Sequence, residues 1–184
     1  MTVLLIHGFN ATPDQHWYKS LRPLLEMSGV QYLSPALPDS GRPQKQSWLA
    51  TIKQSFDQIN DEVILVGHSL GTRATLLFLE QYEVQVRASL LVGAFSNNLD
   101  NGLRRGSVYA SFFDHPIDLS LIKTRCPKFV VMHSRDDQSI PYAQGAQIAL
   151  DLGAEMVTED GHGHFTDADD ASIISAQILR INNG

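Results

Sequence analysis

Three kinds of side chain stand along this chain where they could share one reaction. Ser69 lies between two glycines in Gly67-His68-Ser69-Leu70-Gly71, after the apolar run Val63-Ile64-Leu65-Val66 and before a helical pattern of Leu70, Ala74, Leu77 and Phe78. A serine at such a strand-to-helix turn takes a strained backbone conformation, and glycines on either side let strand and helix approach. Further on come an acidic pair, Asp136-Asp137, and a histidine loop, Asp160-Gly161-His162-Gly163-His164-Phe165. A hydroxyl alone is a weak nucleophile. An imidazole in hydrogen-bond reach can take its proton and later deliver it to a leaving group, and a carboxylate behind the imidazole fixes its tautomer. The remaining requirement is a pair of backbone N–H groups for a developing oxyanion. Leu70 supplies one, and the Phe9–Asn10 turn, with Gly8 permitting close approach, is the expected source of the other.

Two choices stay open at this point. Asp137 opens the turn Asp137-Gln138-Ser139-Ile140-Pro141 and is favoured as the acid, with Asp136 bracing the loop; His162 and His164 both remain candidates for the base. His7 reads as a structural residue of the first loop and His68 as a bulky neighbour packed on the sheet. His16, His115 and His133 have no expected partner. A His-x-His pair with Asp160 and Asp167 could bind zinc. A hydrolytic zinc site needs further ligands and the sequence offers no second histidine cluster, so neither a metal nor another cofactor is expected. Asp167, Asp169 and Asp170 fit better as caps of the last helix.

The elements that must carry these groups follow from the apolar pattern. Val3–Ile6, Val30–Leu33, Val63–Val66, Ala88–Val92, Phe129–Met132 and Ala154–Thr158 are mostly continuous apolar runs, as in parallel strands covered on both faces. Helices are expected at about Asp14–Ser28, Gln44–Ile59, Leu70–Tyr82, Tyr142–Leu152 and Ala168–Ile181. This alternation implies right-handed crossovers and one α/β domain over residues 1–184: about six mostly parallel strands, doubly wound, helices on both faces, no large lid. In such sheets sites form at the carboxyl ends of strands, which is where the serine, acidic and histidine segments all fall. Serine, then acid, then histidine is the chain order of α/β-hydrolases. One connection is unusually long, about 35 residues between Val92 and Phe129, and loops of that length are usually functional. It carries Phe95, Leu103, Tyr109, Phe112 and Phe113. These either line a pocket, with Phe95 and Phe112 as candidate substrate contacts alongside Asn10, or pack the segment on the sheet.

Composition narrows the function classes. The 184 residues are 43% hydrophobic and 18% charged, ordinary for a globular protein, and the net charge of −6 argues against nucleic acid or an anionic membrane as partner. Arg104-Arg105 is the only adjacent basic pair. A single cysteine, Cys126, excludes an intrachain disulfide and suits a reducing compartment; its setting before Pro127 and an apolar run reads as a buried structural thiol. Val3–Ile6 is too short for a signal-peptide core, so a cytoplasmic protein, monomeric or a small homo-oligomer, is expected.

Several matches together resemble one family, the small serine hydrolases grouped with retinoblastoma-binding protein 9 and the bacterial YdeN proteins. They are His16-Trp17-Tyr18, Leu37-Pro38-Asp39, Trp48, Gly67-His68-Ser69-x-Gly71, Asp136-Asp137-x-x-Ile140-Pro141 and Gly163-His164-Phe165. The resemblance implies Asp137 and His164 as partners of Ser69, and it places Trp17 and Trp48 near the nucleophile as candidate substrate contacts. It does not carry over the retinoblastoma-protein partner, since the segment where Leu-x-Cys-x-Glu would stand reads Gln58-Ile59-Asn60-Asp61-Glu62. The expectation is a cofactor-free, carboxylesterase-like serine hydrolase acting on a small acyl substrate. The alternative is a binding module that kept the fold without useful catalysis, which a missing member of the serine, acid and histidine set would have signalled.

Overall fold

Continuous apolar runs bury both faces of a strand, and here they assemble into one parallel sheet. The computed structural model describes residues 1–98 and 107–183. Its strands are β1 (Thr2–Ile6), β2 (Gln31–Leu33), β3 (Val63–His68), β4 (Ala88–Val92), β5 (Phe129–Ser134) and β6 (Glu155–Glu159). The helices are α1 (Tyr18–Glu26), α2 (Lys45–Phe56), α3 (Leu70–Gln81), α4 (Leu119–Arg125), α5 (Tyr142–Leu152) and α6 (Ala171–Asn183). The strands lie in the order β2-β1-β3-β4-β5-β6, and every neighbouring pair is parallel. The chain runs outward from β1 to β2, then returns across β1 to β3. The reversal of direction leaves a crevice between the carboxyl ends of β1 and β3, the usual ligand position in such sheets.

Two apolar layers sandwich the sheet. Val3, Leu5, Ile64, Val66, Leu90 and Val130 pack with Leu21 and Leu25 of α1 and with Ile174 and Ile178 of α6. Leu4, Ile6, Leu65, Leu91 and Val131 face the other way, onto Trp48 of α2, Leu77 and Phe78 of α3, Ile122 of α4 and Ile148 of α5. Cys126 is buried in the second layer, where desolvation pushes its thiol up to about 12. It is a packing residue with no thiolate to react. Among the described residues, no helix is long and apolar enough to cross a membrane.

The element boundaries differ from the sequence pattern where polar groups make structure. β3 and β5 each run two residues past their apolar stretch, through Gly67-His68 and His133-Ser134. The first helix begins at Tyr18 rather than Asp14, because His16 turns left-handed (φ 52°) and breaks the expected first turn. The long connection contains α4, which the pattern did not show; Asp118 starts it by accepting the Leu121 N–H. The last helix starts as a short 3-10 turn at Ala168–Asp170, capped by Asp167, before α6 proper.

The tightest contact of the fold is at the start of α3. A Cβ on Gly71 would overlap the Ile6 carbonyl oxygen and lie 2.6 Å from that of His7, so the helix rests on the end of β1. Gly71→Ala is expected to destabilise the protein by about 3 kcal/mol or more, as overpacking against fixed backbone does. Urea denaturation of the two proteins measures it.

Candidate active site

Ser69 sits at the end of β3 with φ 54° and ψ −123°, a region closed to most L-residues. Its own N–H donates to Val92 O of β4 (2.9 Å), and its carbonyl accepts from Thr72 N–H and Thr72 Oγ1 (2.9 and 2.7 Å). Those bonds hold the strained turn and point the hydroxyl out of the sheet. Across the crevice, a Cβ on Gly8 would lie 3.0 Å from Ser69 Cβ, so glycine there brings the β1 loop against the serine. Asn10, at φ 52°, donates its N–H to Ser40 O (2.8 Å) and fixes the far end of that loop.

The histidine loop reaches Ser69 through His164. His164 Nε2 is 2.9 Å from Ser69 Oγ, and His164 Nδ1 is 2.7 Å from Asp137 Oδ2. The ring lies on Gly93 at the end of β4, where a Cβ would come within 3.2 Å of Cε1. Asp137 is nearly inaccessible, and its carboxylate is full of donors. Oδ1 accepts the Ser139 and Ile140 N–H groups (2.8 and 2.9 Å), while Oδ2 faces His164. Burial opposes ionisation, but hydrogen bonds from His133 and His164 and from the Ile140 N–H outweigh it, so the carboxyl is held well below the usual range.

The two competing residues have other partners. Asp136 Oδ1 accepts the Ser134 hydroxyl and the N–H groups of Gly161 and Gly163 (3.0 and 3.2 Å), which ties the end of β5 to the histidine loop. His162 bonds to Asp170 Oδ1 (2.7 Å) and stacks on Phe165 at 5.6 Å. Among the described residues, no three His, Cys, Asp or Glu side chains come together as a metal site.

The sequence His16-Trp17-Tyr18 acts as a clip on the next loop. His16 Nδ1 bonds to Thr166 O (3.1 Å) and Trp17 Nε1 donates to Phe165 O (3.0 Å). Tyr18 reaches His164 through an intermediary: its hydroxyl donates to His68 Nδ1 (2.5 Å), and His68 Nε2 donates to His164 O (2.8 Å). Three consecutive carbonyls, those of His164, Phe165 and Thr166, are therefore held by His68, Trp17 and His16, with Tyr18 at the start of α1 bracing His68. The Tyr18 oxygen also accepts the Gly8 N–H (3.3 Å), so one hydroxyl connects the β1 loop with the base loop. Burial lowers the His68 imidazole to about 3, which keeps it neutral and each of its nitrogens in a single role. His7 is likewise held low by burial; its Nδ1 donates to Gly8 O (3.0 Å) and its Nε2 accepts the Leu37 N–H (3.1 Å).

Ser69 and His164 open into a cleft of about 440 Å³, lined by Phe9, Asn10, Leu70, Phe95, Tyr109 and Ile140 among others. Among the described residues, the backbone N–H groups of Phe9 and Leu70 have no protein acceptor. Phe9, Asn10, Leu70 and Phe95 line this cleft. Trp17, Trp48 and Phe112 do not: all three are fully buried and none lines the cleft. Trp17 packs edge-on to His68 at 5.7 Å, so it backs the elbow from inside. Trp48 packs on His7 and Phe112 and donates to Pro38 O (2.8 Å). Their size favours the core once a neighbouring carbonyl satisfies each indole N–H. The long connection divides: Phe95 and Tyr109 face the cleft, Phe112 and Phe113 are buried against α2 and α3, and Leu103 and Arg104-Arg105 lie outside the described residues. His16, Tyr18, Ile140 and Thr166 also line the cleft; a lining role for them had no sequence signal.

Comparison with known proteins finds relatives over most of the chain. The chain is 30% identical over 165 residues to YdeN of Bacillus subtilis (strain 168), covering 89% of this chain and 85% of that one. It is 30% identical over 150 residues to the serine hydrolase RBBP9 of Rattus norvegicus, covering 81% and 77%. The crystal structure of the B. subtilis ydeN gene product superposes with a TM-score of 0.88 at 26% identity, over 100% of this chain and 99% of that one. More distant structures, such as mouse alpha/beta hydrolase domain-containing protein 10 (TM-score 0.76, 13% identity), share the fold. A family model described as serine hydrolase matches residues 3–172, and the chain belongs to that family of α/β-hydrolase-fold proteins.

Proposed function

We propose that this serine hydrolase cleaves small carboxylic esters and related acyl compounds, without a cofactor, through an acyl-enzyme on Ser69. The observation that carries the reading is the unbroken hydrogen-bonded series Ser69 Oγ, His164 Nε2, His164 Nδ1, Asp137 Oδ2, beside two unpaired N–H groups. In this reading Ser69 Oγ attacks the carbonyl carbon while His164 Nε2 takes its proton. The oxyanion that forms accepts from the N–H groups of Phe9 and Leu70, two residues that line the cleft with Ser69. His164 passes the proton to the departing alcohol, the acyl group stays on Ser69, and water deprotonated by His164 then releases the acid. Asp137 stays ionised and stabilises the imidazolium. Among the described residues no Lys, Arg, Asp or Glu lines the cleft, and its walls there are largely apolar, which supports an uncharged acyl group. Its modest volume favours a short chain over a long lipid.

A fluorophosphonate probe should label the protein at Ser69, and labelling should vanish in Ser69→Ala. Turnover of an activated short-chain ester should fall at least about a thousandfold in that variant and be unaffected by chelators in the parent. A folded protein that neither labels nor hydrolyses any activated ester ends the enzyme reading.

The low Asp137 ionisation bears on pH. This carboxyl remains charged throughout about pH 5 to 8, so the acid limb of kcat/KM should show a single ionisation, that of an imidazole, with activity rising as the proton is lost. Because its folded value is depressed, Asp137 adds stability above its unfolded value of about 3.9, and that stability is lost as pH falls below it. A pH–rate profile showing two acid-side ionisations would contradict the assignment.

The Tyr18 hydroxyl connects both halves of the site, so its removal should lower the rate without unfolding the protein. Tyr18→Phe leaves His68 Nδ1 without its donor and the Gly8 N–H without its acceptor. We expect kcat to drop about tenfold, with a smaller change in KM. Steady-state kinetics together with thermal unfolding separate this from a stability loss.

A further inference from the structure

One fully buried histidine takes no part in the reaction written above. His133, near the end of β5 and four residues before Asp137, places Nε2 2.9 Å from Ile140 O and 3.3 Å from Asp137 Oδ2. Its other nitrogen, Nδ1, is buried and has no hydrogen-bond partner among the described residues. That nitrogen points at Gly145 of α5, where a Cβ would collide with it and lie 2.8 Å from Cγ. The helix thus omits a side chain at the one position that makes room for the imidazole. Two oxygens at Nε2 and a buried Nδ1 without an acceptor assign the proton: it sits on Nε2. On Nδ1 it would be a buried N–H with no acceptor, a costly arrangement.

We propose that His133 is a positioning residue for Asp137, its Nε2–H shared between the Ile140 carbonyl and the carboxylate so that Oδ2 stays aimed at His164. The proposal rests on the serine-hydrolase reading above. Ile140 closes the arrangement from both sides, since its N–H donates to Asp137 Oδ1 (2.9 Å) while its carbonyl receives His133. With His133 included, the carboxylate has four donors, two backbone N–H groups on Oδ1 and two imidazoles on Oδ2. The donor also draws charge from Oδ2, so its removal would leave a more concentrated negative charge facing His164.

The surroundings limit what else could produce such an effect. The titratable groups near His133 are Asp137, with His164 beyond it, and Tyr142 of α5, whose ring lies 5.9 Å away edge-on. β6 presents Thr158 in register with His133, and β4 ends nearby at Val92 and Gly93; none of these ionises. Asp136 is turned to the Gly161 and Gly163 N–H groups.

The test compares His133→Met, which fills the site without a donor, with His133→Gln, whose amide nitrogen can occupy the Nε2 position. Activated-ester hydrolysis is followed against pH, with thermal unfolding in parallel. In His133→Met we expect kcat to fall about tenfold with little change in KM, and the acid limb of kcat/KM to move to higher pH as the unmoderated carboxylate strengthens His164 as a base. His133→Gln should stay within about threefold of the parent and restore the limb. If Met does not fold, His133→Asn takes its place, because its shorter amide falls near Nδ1 and cannot reach Asp137. The proposal is overturned if the donor-free variant keeps the parent's rate and pH limb, or if Gln fails to restore them while folding normally. A parent that never labels with fluorophosphonate would instead defeat the reading on which it rests.

Discussion

The first turn of α3 lies directly on the carbonyl ends of β1, and the geometry of the site follows from that contact. Only glycine at position 71 permits it, and Gly8 permits the reciprocal approach of the β1 loop to Ser69. With strand and helix so close, the residue between them has to turn sharply, and Ser69 takes the left-handed backbone that results. Such a conformation costs of order 1–3 kcal/mol and persists only where neighbours over-determine it. Here the bonds from Ser69 to Val92 and Thr72 do so. The turn leaves Ser69 half-buried at the cleft, bonded to His164, and the Leu70 N–H without a protein acceptor at the head of a helix, where the dipole favours negative charge.

Around that turn the protein uses neutral, buried histidines as rigid connectors. A histidine in water changes charge near neutrality and exchanges donor and acceptor roles between its nitrogens. Burial holds His7 and His68 in their neutral forms, and each then joins two segments with one donor and one acceptor. His68 connects α1 to the histidine loop, and His7 connects the Leu37 turn to the loop after β1. His164 differs from both: it is partly open to the cleft, and its two nitrogens face the Ser69 hydroxyl and the Asp137 carboxylate. Location alone divides histidines of one chemistry into connectors and a candidate base.

Much of the fold was legible because parallel strands buried on both faces must be continuously apolar. The six runs from Val3 to Thr158 therefore marked the sheet. The limits of that signal are equally physical. Gly67-His68 and His133-Ser134 extend their strands because the backbone pairs with neighbours regardless of side-chain polarity. The helix at Leu119–Arg125 is too short to show a periodic face. The family resemblance placed Trp17 and Trp48 near the nucleophile as candidate substrate contacts, yet each indole N–H meets a main-chain carbonyl that lets the whole ring enter the core.

By itself the sequence determined the parallel α/β sheet, the elbow at Ser69 and the chain order of serine, acid and histidine, because local pattern and spacing encode them. Only the tertiary structure decided between neighbours. His162 and His164 stand two residues apart in one glycine-rich loop, and Asp136 and Asp137 are adjacent; which histidine meets Ser69, and which aspartate meets that histidine, depends on contacts between residues 95 and 27 positions apart in the chain. Local propensity cannot encode such a choice. It also took the folded chain to bring Tyr18, His68 and Gly8 onto one hydroxyl, and to set His133 behind Asp137 in the space that Gly145 leaves open.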